Sequence, residues 1–524
     1  MIRQKCIAIS FIVLDRTALK LKLKHNTKEG LWMGKKILVI GAGIGGLTAA
    51  SLLAKNGDAV TLLEASSELG GCAGKFKRHK FLFPAGATLG MGLETGGIHE
   101  RVFRFLEAPL PIEPLDQVME MVHPEATFQF LRDRELHVDG IAGHFPEYDN
   151  NIRSFYREIQ QTAAVVRTLM GPLPALPPST PKEWAYLAAA VRPVHVKLLP
   201  FLRQTLGQRL EHHGLAQLQP FRHMLDGLLI DSMQTGSEDV SYLLAATALD
   251  IYHEGAFYVP GGLYRFAEIM ADSLTANNGI LKKRRKAIKL EKSESGWHAI
   301  DHRGNGYEAD AVIFNGPIQT LPQMLSPALI KQLKKPLAEG MQSETWTTLT
   351  LYIAVDESKL PGPLPLFRQI STGDGLAEGG HFFMSASHAD DRLRAPDGFR
   401  TVTVSTHSEA RNWDNKDKYK STRRSLTAKM LGAIELQIPG FQNAIVHLEK
   451  GAPKAWERFT GRPNGYVGGF PQTLDAALFN SISHRSGISG LYLCGDHIFP
   501  GGGTIGAAAS GIHAARSIAG KRLV

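Results

Sequence analysis

The chain contains little cysteine and no long hydrophobic run. Three cysteines in 524 residues cannot form a disulfide framework, and none shows the paired spacing of a zinc site, so we expect no metal. No segment approaches the roughly 20 consecutive apolar residues that a membrane-spanning helix requires. These absences argue against a disulfide-stapled secreted domain and a helical integral membrane protein. They favour a reducing, cytoplasmic compartment for a chain long enough to form more than one domain.

Positive charge is concentrated at the N-terminus. Of the formal net charge of +9, residues 1–32 supply a surplus of +5, and no nucleic-acid motif accompanies the remainder, so we expect no nucleic acid partner. The apolar stretch 7–14 is followed by Asp15 and Arg16, which do not suit a signal-peptide cleavage site. We interpret residues 1–32 as an N-terminal extension that a native start at Met33 would leave out.

A dinucleotide-binding unit is predicted directly after that segment. Residues 37–40 form a short, β-branched apolar run typical of a buried parallel strand, and the turn Gly41–Gly46 follows at once. Residues 47–54 then predict a helix, and residues 59–64 a second strand that ends on Glu64, 21 residues after Gly43. The glycines allow backbone approach to a pyrophosphate, and the acid suits ribose hydroxyls.

A second glycine-rich cluster lies near the C-terminus. Residues 490–496 predict a final strand ending in Gly495-Asp496, and residues 499–506 lead into a helix of small residues. An acid here can accept a ribityl hydroxyl, while a helix N-terminus can stabilise negative charge on a reduced flavin. The two clusters together favour a flavin over a nicotinamide cofactor.

The motifs resemble those of the bacterial phytoene desaturase and carotenoid isomerase family, and most closely its carotenoid C-3′,4′ desaturase branch. The resemblance rests on the second diglycine Gly70-Gly71, on Gly86-Ala87-Thr88, on the loop 96–99 and on residues 495–506, and it covers nearly everything from Lys35 to Ser517. It implies FAD as the cofactor and a carotenoid or other isoprenoid as the substrate. Cys72 and Pro84 depart from the family's usual Arg and Asp, which leaves the reaction itself open.

The resemblance also implies individual site residues. Ala287 matches a position that contacts adenine through its backbone. His99 and Tyr466 lie in loops that match the family's active-site side and are weak catalytic candidates, with structural hydrogen bonding as the competing interpretation. The predicted cofactor-binding residues are Gly41, Gly43, Gly45, Gly46, Glu64, Gly70, Gly71, Gly86, Thr88, Ala287, Gly495, Asp496, Thr504 and Ile505.

The predicted fold is α/β, with a discontinuous Rossmann-like FAD-binding domain and an inserted α+β substrate domain that carries a helical lid. We assign residues 33–100, 255–325 and 485–524 to the first domain, and residues 101–254 and 326–484 to the second. Residues 308–315 are expected to form one strand, and the basic run 282–286 a solvated hairpin. Apolar residues flanked by cations at 184–202 suit either an ordinary lid helix or a helix in the headgroup layer of a membrane.

Three functions remain open at this point. The first is an FAD-dependent desaturase of a carotenoid-like polyene, which would work at the inner face of the cell membrane. The second is a carotenoid isomerase or a saturase that uses reduced flavin. The third is an amine-oxidase-like enzyme or a flavin-holding isoprenoid binder without catalytic activity. No general base is assigned, because the flavin carries the difficult step of polyene oxidation and little side-chain chemistry is required.

Overall fold

The computed structural model describes residues 34–524, so the predicted extension lies outside the described residues. The strands are β1 (Lys36–Ile40), β2 (Ala59–Glu64), β3 (Lys75–Arg78), β4 (Phe81–Pro84), β5 (Gly90–Met91), β6 (Glu113–Pro114), β7 (Gln117–His123), β8 (Ala126–Leu131), β9 (Ala256–Tyr258), β10 (Ile280–Lys283), β11 (Ala287–Ser293), β12 (Gly296–Asp301), β13 (Gly306–Ala309), β14 (Ala311–Phe314), β15 (Thr347–Asp356), β16 (Phe367–Ser371), β17 (His381–Ala386), β18 (Phe399–Ser408), β19 (Ile445–Gly451) and β20 (Leu491–Leu493).

The α-helices are α1 (Ile44–Lys55), α2 (Ile98–Leu106), α3 (Arg134–His144), α4 (Asp149–Met170), α5 (Pro181–Ala190), α6 (Leu206–His212), α7 (Gln219–Met233), α8 (Tyr242–Glu254), α9 (Tyr264–Ala276), α10 (Pro327–Ile330), α11 (Lys335–Gly340), α12 (Lys416–Gln437), α13 (Phe441–Ala444), α14 (Pro453–Thr460) and α15 (Gly503–Ala519). No helix among residues 34–524 is both long enough and apolar enough to cross a membrane.

A five-stranded parallel sheet forms the centre of the first domain. Its strand order is β10-β2-β1-β14-β20, so the first strand of the chain lies in the middle and the direction of winding reverses beside it. The strands come from all three segments assigned to the FAD-binding domain. Because ligands of such sheets bind outside the carboxyl ends of the strands at this reversal, the topology places a site above β1. This confirms the predicted α/β fold class.

One face of the sheet is covered by α1, α9 and α15, and the other by the meander β11-β12-β13. The α1 and α15 helices pack backbone to backbone, because a Cβ on Gly511 would lie 2.3 Å from the carbonyl oxygen of Gly45. Small residues on both helices are therefore a packing requirement.

The second domain is built on a seven-stranded mixed sheet in the order β19-β15-β18-β17-β16-β7-β8. One face packs on α12 and α13, while α7 packs against β7, β16 and β17. The helices α3, α4 and α8 extend this side into a helical layer with its own buried apolar core. A cavity can therefore lie between the layer and the parallel sheet.

Two local predictions were wrong. The expected single strand 308–315 is divided at Asp310: β13 belongs to the antiparallel meander, whereas β14 joins the parallel sheet. The basic run is not a hairpin, because β10 pairs with β2 and β11 pairs with β12. The break falls at Arg284, where φ is 55° and the chain crosses between the two sheets.

Candidate functional site

The turn after β1 is shaped for close backbone approach. Gly41 has a φ of 99°, and a Cβ on Gly46 would lie only 2.1 Å from the carbonyl oxygen of Gly41. The α1 helix then begins at Ile44, with Gly43 as an N-cap that offers no side-chain hydrogen bond. Its first N–H groups are consequently free to bind an anion, and no acidic side chain in the first turn competes.

Glu64 ends β2 beside this turn, as its place in the sequence predicts. One carboxylate oxygen accepts the N–H of Ala42 at 2.7 Å, and the other accepts the N–H of Ser66 at 2.7 Å. Burial raises the pKa of Glu64 above its usual range, while the backbone donors oppose that shift. Since a carboxylate offers about four acceptor positions, two remain for ribose hydroxyls.

Asp496 lies at the inner end of the site and is held as an anion. The Arg462 guanidinium donates to it at 2.7 Å, and His497 Nδ1 lies 3.2 Å from its other oxygen. Desolvation opposes ionisation, but these two neighbours hold the pKa of Asp496 far below its usual range. Arg462 was missed by the sequence analysis, because its loop carries no pattern that distinguishes it from any surface arginine.

One cavity of about 1840 Å³ connects these groups. It is lined by every predicted cofactor-binding residue except Gly46, which packs against Gly41 instead. The N-terminus of α15 also opens into it, and the N-cap Gly502 likewise offers no side-chain hydrogen bond. Two uncapped helix N-termini, a partly buried acid at each end and a glycine wall between them fit a dinucleotide whose pyrophosphate lies at α1.

We call the part of the cavity lined by the Gly41–Gly45 turn, Glu64, Asp496 and the N-terminus of α15 the cofactor cradle, and beyond it the cavity continues as an apolar arm. Its volume exceeds the roughly 300–1,000 Å³ of an ordinary ligand pocket, so it has room for a second, elongated molecule. The arm runs among α4, α5, α7 and α8 and is lined by Met119, Val166, Leu169, Met170, Leu187, Val191, Leu198, Leu199, Leu243, Leu244, Ile251 and Leu478.

The two weak catalytic candidates do not line the cavity. His99 is buried in the core, with its ring 4.6 Å from that of Phe266, and burial lowers its pKa to about 3. Tyr466 is buried as well, and its hydroxyl accepts a hydrogen bond from Asn464 at 3.1 Å. The geometry gives neither side chain a path to a bound ligand. Tyr466 makes the structural hydrogen bond of the competing interpretation, whereas Nε2 of His99 has no hydrogen-bond partner among the described residues and its ring packs in the core.

A second polar group on the cavity wall was also missed. Asp231 of α7 lines the cavity together with Gln369 and His407 of the seven-stranded sheet. The sequence carried a usable signal here, since Asp231 directly follows the apolar run 228–230. A carboxylate that continues such a run is expected to be buried and to need a specific reason for its place.

The site thus offers the groups that a dinucleotide requires: an acid for the ribose, free N–H groups for the phosphates and an anion near the far end. These groups lie where the direction of winding of the parallel sheet reverses. Fold and site together define an FAD-dependent oxidoreductase. Comparison with known proteins then identifies the family. The model for the family "Flavin containing amine oxidoreductase" matches residues 44–519, and the chain belongs to that family.

Named relatives can be aligned with most of the chain. Prolycopene isomerase 2, a chloroplastic protein of an Oncidium hybrid cultivar, is 25% identical over 497 residues, covering 92% of this chain and 83% of its own length. The 4,4'-diapophytoene desaturase (4,4'-diapolycopene-forming) of Methylomonas sp is 23% identical over 390 residues, covering 71% and 72%. An oxidoreductase structure from Methanosarcina mazei shares the fold, with a TM-score of 0.60 at 15% identity over 93% of this chain and 100% of its own.

Proposed function

We propose that this chain desaturates a carotenoid-like polyene by hydride transfer to FAD. When bound, FAD supplies a two-electron acceptor for hydride, and the protein binds, orients and shields the substrate. The observation that carries the proposal is the apolar arm, because a long hydrocarbon gains free energy in proportion to the apolar area it buries, at about 25 cal/mol per Å². The relatives named as a desaturase and an isomerase of carotenoids support the same substrate class.

Residues of this chain divide the work of cofactor binding. Glu64 would meet the adenosine ribose, the N-terminus of α1 the pyrophosphate, and Asp496 the flavin end. Arg462 keeps Asp496 ionised. The apolar walls exclude water around the reacting carbons, which suppresses competing reactions of the reduced cofactor.

Isomerisation is the second candidate, since the relative that is 25% identical over 92% of the chain is a prolycopene isomerase. An isomerase, or a saturase working from reduced flavin, would use the same cofactor cradle and the same apolar arm. It differs in the electron balance, because isomerisation removes no electrons from the polyene and saturation adds two.

The deciding experiment is anaerobic incubation of the FAD-loaded protein with acyclic carotenoids. We expect the oxidised flavin absorbance to bleach while a red-shifted polyene appears in equal amount. Geometric isomers formed without bleaching would establish the isomerase instead, and a shortened chromophore formed only from reduced flavin would establish a saturase. Bleaching by a primary amine, with none by any polyene, would overturn the proposal in favour of amine oxidation.

We also propose a peripheral contact with the cytoplasmic face of the cell membrane. Around the open end of the apolar arm lies a mouth patch, defined as the exposed apolar side chains Trp184, Val191, Val194, Val196, Leu199, Leu202 and Phe479. Val196 is 63% exposed and Leu199 is 60% exposed, so these side chains are not part of a buried core. Lys182, Arg192, Lys197 and Arg203 flank it, a combination suited to anionic headgroups over an apolar layer.

A membrane position would give the arm direct access to its substrate. Val191, Val196, Leu199 and Phe479 belong both to the mouth patch and to the cavity lining, so the apolar surface is continuous from outside to inside. A hydrocarbon could therefore pass from lipid to the flavin without crossing water. Monomeric proteins seldom expose apolar patches of this kind unless they contact a partner.

A further inference from the structure

The cavity wall carries a cluster of titratable groups around Asp231 that cofactor binding does not use. The carboxylate of Asp231 lies 3.8 Å from Nδ1 of His407 and 3.9 Å from Nε2 of His381, and the amide of Gln369 donates to it at 3.4 Å. Among the described residues, neither ring nitrogen of His381 nor Nδ1 of His407 has a hydrogen-bond partner. Buried polar atoms without partners are rare and require an explanation.

Asp231 is accessible from the substrate side. Its side chain is 25% exposed, and the residue lines the large cavity. It also lies close to the cofactor segment, because the carbonyl oxygen of the next residue, Ser232, is 3.7 Å from where a Cβ of Gly502 would lie. Gly502 caps the helix that opens toward the flavin end, so Asp231 borders the place where polyene and cofactor meet.

The surroundings set the proton affinity of this carboxyl. Burial raises the pKa of Asp231 from 3.8 to about 7, a shift that the amide of Gln369 opposes. Burial lowers the pKa of His381 to about 3 and that of His407 to about 4, so both imidazoles are neutral near pH 7. The hydroxyl of Tyr252 on α8 also interacts with this carboxyl, and burial raises the pKa of the hydroxyl. A general base is most effective when its pKa lies near the working pH.

A second set of polar side chains lies beside His381. His381 and Gln369 also line a small, separate cavity of about 10 Å³, whose other polar residues are Ser371, His123 and His223. That volume is close to the minimum of roughly 10–15 Å³ for one water, and several polar groups are available to bind it. Nε2 of His123 lies 3.1 Å from Nδ1 of His223, which is half-buried.

We propose that Asp231 is the proton-accepting residue of the desaturation, and that the proton leaves through His381 and the small cavity to His223. This role rests on the proposed function. One C–H bond of the polyene breaks with both electrons leaving as hydride to oxidised FAD. The neighbouring C–H bond breaks heterolytically: its electron pair forms the new C=C bond, and its proton binds the Asp231 carboxylate. A single turnover needs no other oxidant, and it leaves one equivalent of reduced cofactor.

The test compares Asp231→Asn with Asp226→Asn in single anaerobic turnovers. Asp226 lies on the same helix and is buried, but its carboxylate accepts from the N–H of Ser237 and it does not line the large cavity. We expect Asp231→Asn to retain FAD and polyene binding while the bleaching rate falls by about 10²-fold or more. The rate in wild type and in Asp226→Asn should rise with pH through about 7, and Asp231→Asn should lose this rise.

Two further readouts separate a proton acceptor from a structural residue. In Asp231→Ala, added formate should restore part of the bleaching rate, and in His223→Ala added imidazole should do the same. Infrared spectra of the resting, FAD-loaded protein should show a protonated carboxyl band that titrates near pH 7 and disappears in Asp231→Asn. This band requires no turnover.

The outcomes distinguish the two proposals. If wild type bleaches with a polyene and Asp231→Asn bleaches at the same rate, the role of Asp231 is overturned and the desaturase remains. The role of Asp231 would also be overturned if the spectra show its carboxylate ionised down to about pH 4, the usual range of an aspartate. If none of the polyenes bleaches the flavin of the wild-type protein, the desaturase function is overturned, and the role of Asp231 is overturned with it.

Discussion

At the scale of single residues, the cofactor cradle depends on glycines, because a side chain at these positions would clash with the backbone. A Cβ on Gly45 would lie 2.8 Å from the carbonyl oxygen of Ala507 and 3.0 Å from the amide nitrogen of Gly495, which belong to the other half of the cradle. Neither is a flexible side chain that could move aside. The N-terminal and C-terminal halves of the site can thus lie this close together only because Gly45 carries a hydrogen atom in place of a side chain.

Gly45→Ala should therefore separate the two halves. Overpacking of this kind costs about 1–3 kcal/mol, and we expect the purified variant to contain much less FAD and to unfold at lower urea concentration. The matched control is Gly140→Ala on α3, where a Cβ meets nothing within 4 Å and the exchange should stabilise by up to about 1 kcal/mol. Equal flavin content in both variants would contradict the close-approach argument.

Asp231 should also make stability depend on pH. The folded protein holds its proton up to about pH 7, whereas the unfolded chain releases it near 3.8. The folded state thus binds more protons in this window, so the stabilising contribution is present below pH 3.8 and is lost as the pH rises through about 7.

Asp231→Asn carries no such titration. At about 1.4 kcal/mol per pKa unit, its free energy of unfolding should rise relative to wild type by up to about 4 kcal/mol between about pH 4 and 8. Urea unfolding at a series of pH values measures the difference. Asp272→Asn, at an exposed carboxylate on α9, controls for the loss of one charge. If the difference in the free energy of unfolding between wild type and Asp231→Asn does not change with pH, Asp231 is ionised throughout this pH range.

At the scale of elements, the mouth patch is held firmly in place. Glu183 of α5 accepts from Arg485 at 2.6 Å and lies 3.4 Å from His484. Desolvation of Glu183 opposes ionisation, but these neighbours lower its pKa to about 2. The ion pair fixes α5 to the segment that leads into β20. The exposed apolar residues beyond α5 are therefore presented on a fixed support.

Two acids in this patch should abolish membrane binding. The double variant Val196→Asp, Leu199→Asp adds two negative charges and removes two exposed apolar side chains, so we expect it to remain in the supernatant when wild type sediments with anionic vesicles. Leu436→Asp on α12 is the control, because Leu436 is 82% exposed but lies outside the mouth patch. If wild type itself fails to sediment above a soluble reference protein, the membrane proposal is wrong.

At the scale of the whole molecule, FAD would join parts of the chain that lie far apart in sequence. The cofactor side of the cavity lining and the five strands beneath it both draw on the segments 33–100, 255–325 and 485–524. A ligand that binds only the folded chain stabilises it by RT ln(1 + [L]/Kd). Removing the cofactor should consequently weaken the entire first domain.

We expect FAD at about 100 times its Kd to stabilise the flavin-free protein by about 2.7 kcal/mol, visible as a higher melting temperature. Riboflavin is the control: it lacks the pyrophosphate and adenosine, so it cannot use the N-terminus of α1 or Glu64, and it should give a much smaller shift. Equal shifts from both compounds would show that the dinucleotide half of the cradle contributes nothing.

Local patterns were sufficient for much of this molecule. The run 37–40, the glycine turn, the helix and the strand 59–64 are each decided by residues within a few positions of one another, and the strand β2 has the predicted bounds. Where neighbours further away decide, prediction failed. The division at Asp310 depends on which sheet each half of the segment joins, and no local propensity carries that information.

The sequence by itself determined the dinucleotide fold and the FAD cofactor, and it predicted most of the glycines and acids that line the cavity, because turns, helix starts and strand ends are short-range events. Only the tertiary structure decided which polar groups serve the site. It buried His99 away from the cavity, paired Arg462 with Asp496 across 34 positions, and brought Asp231 beside two histidines of a distant sheet. Burial and proximity set the pKa of a carboxyl, and both are created when separate elements pack together.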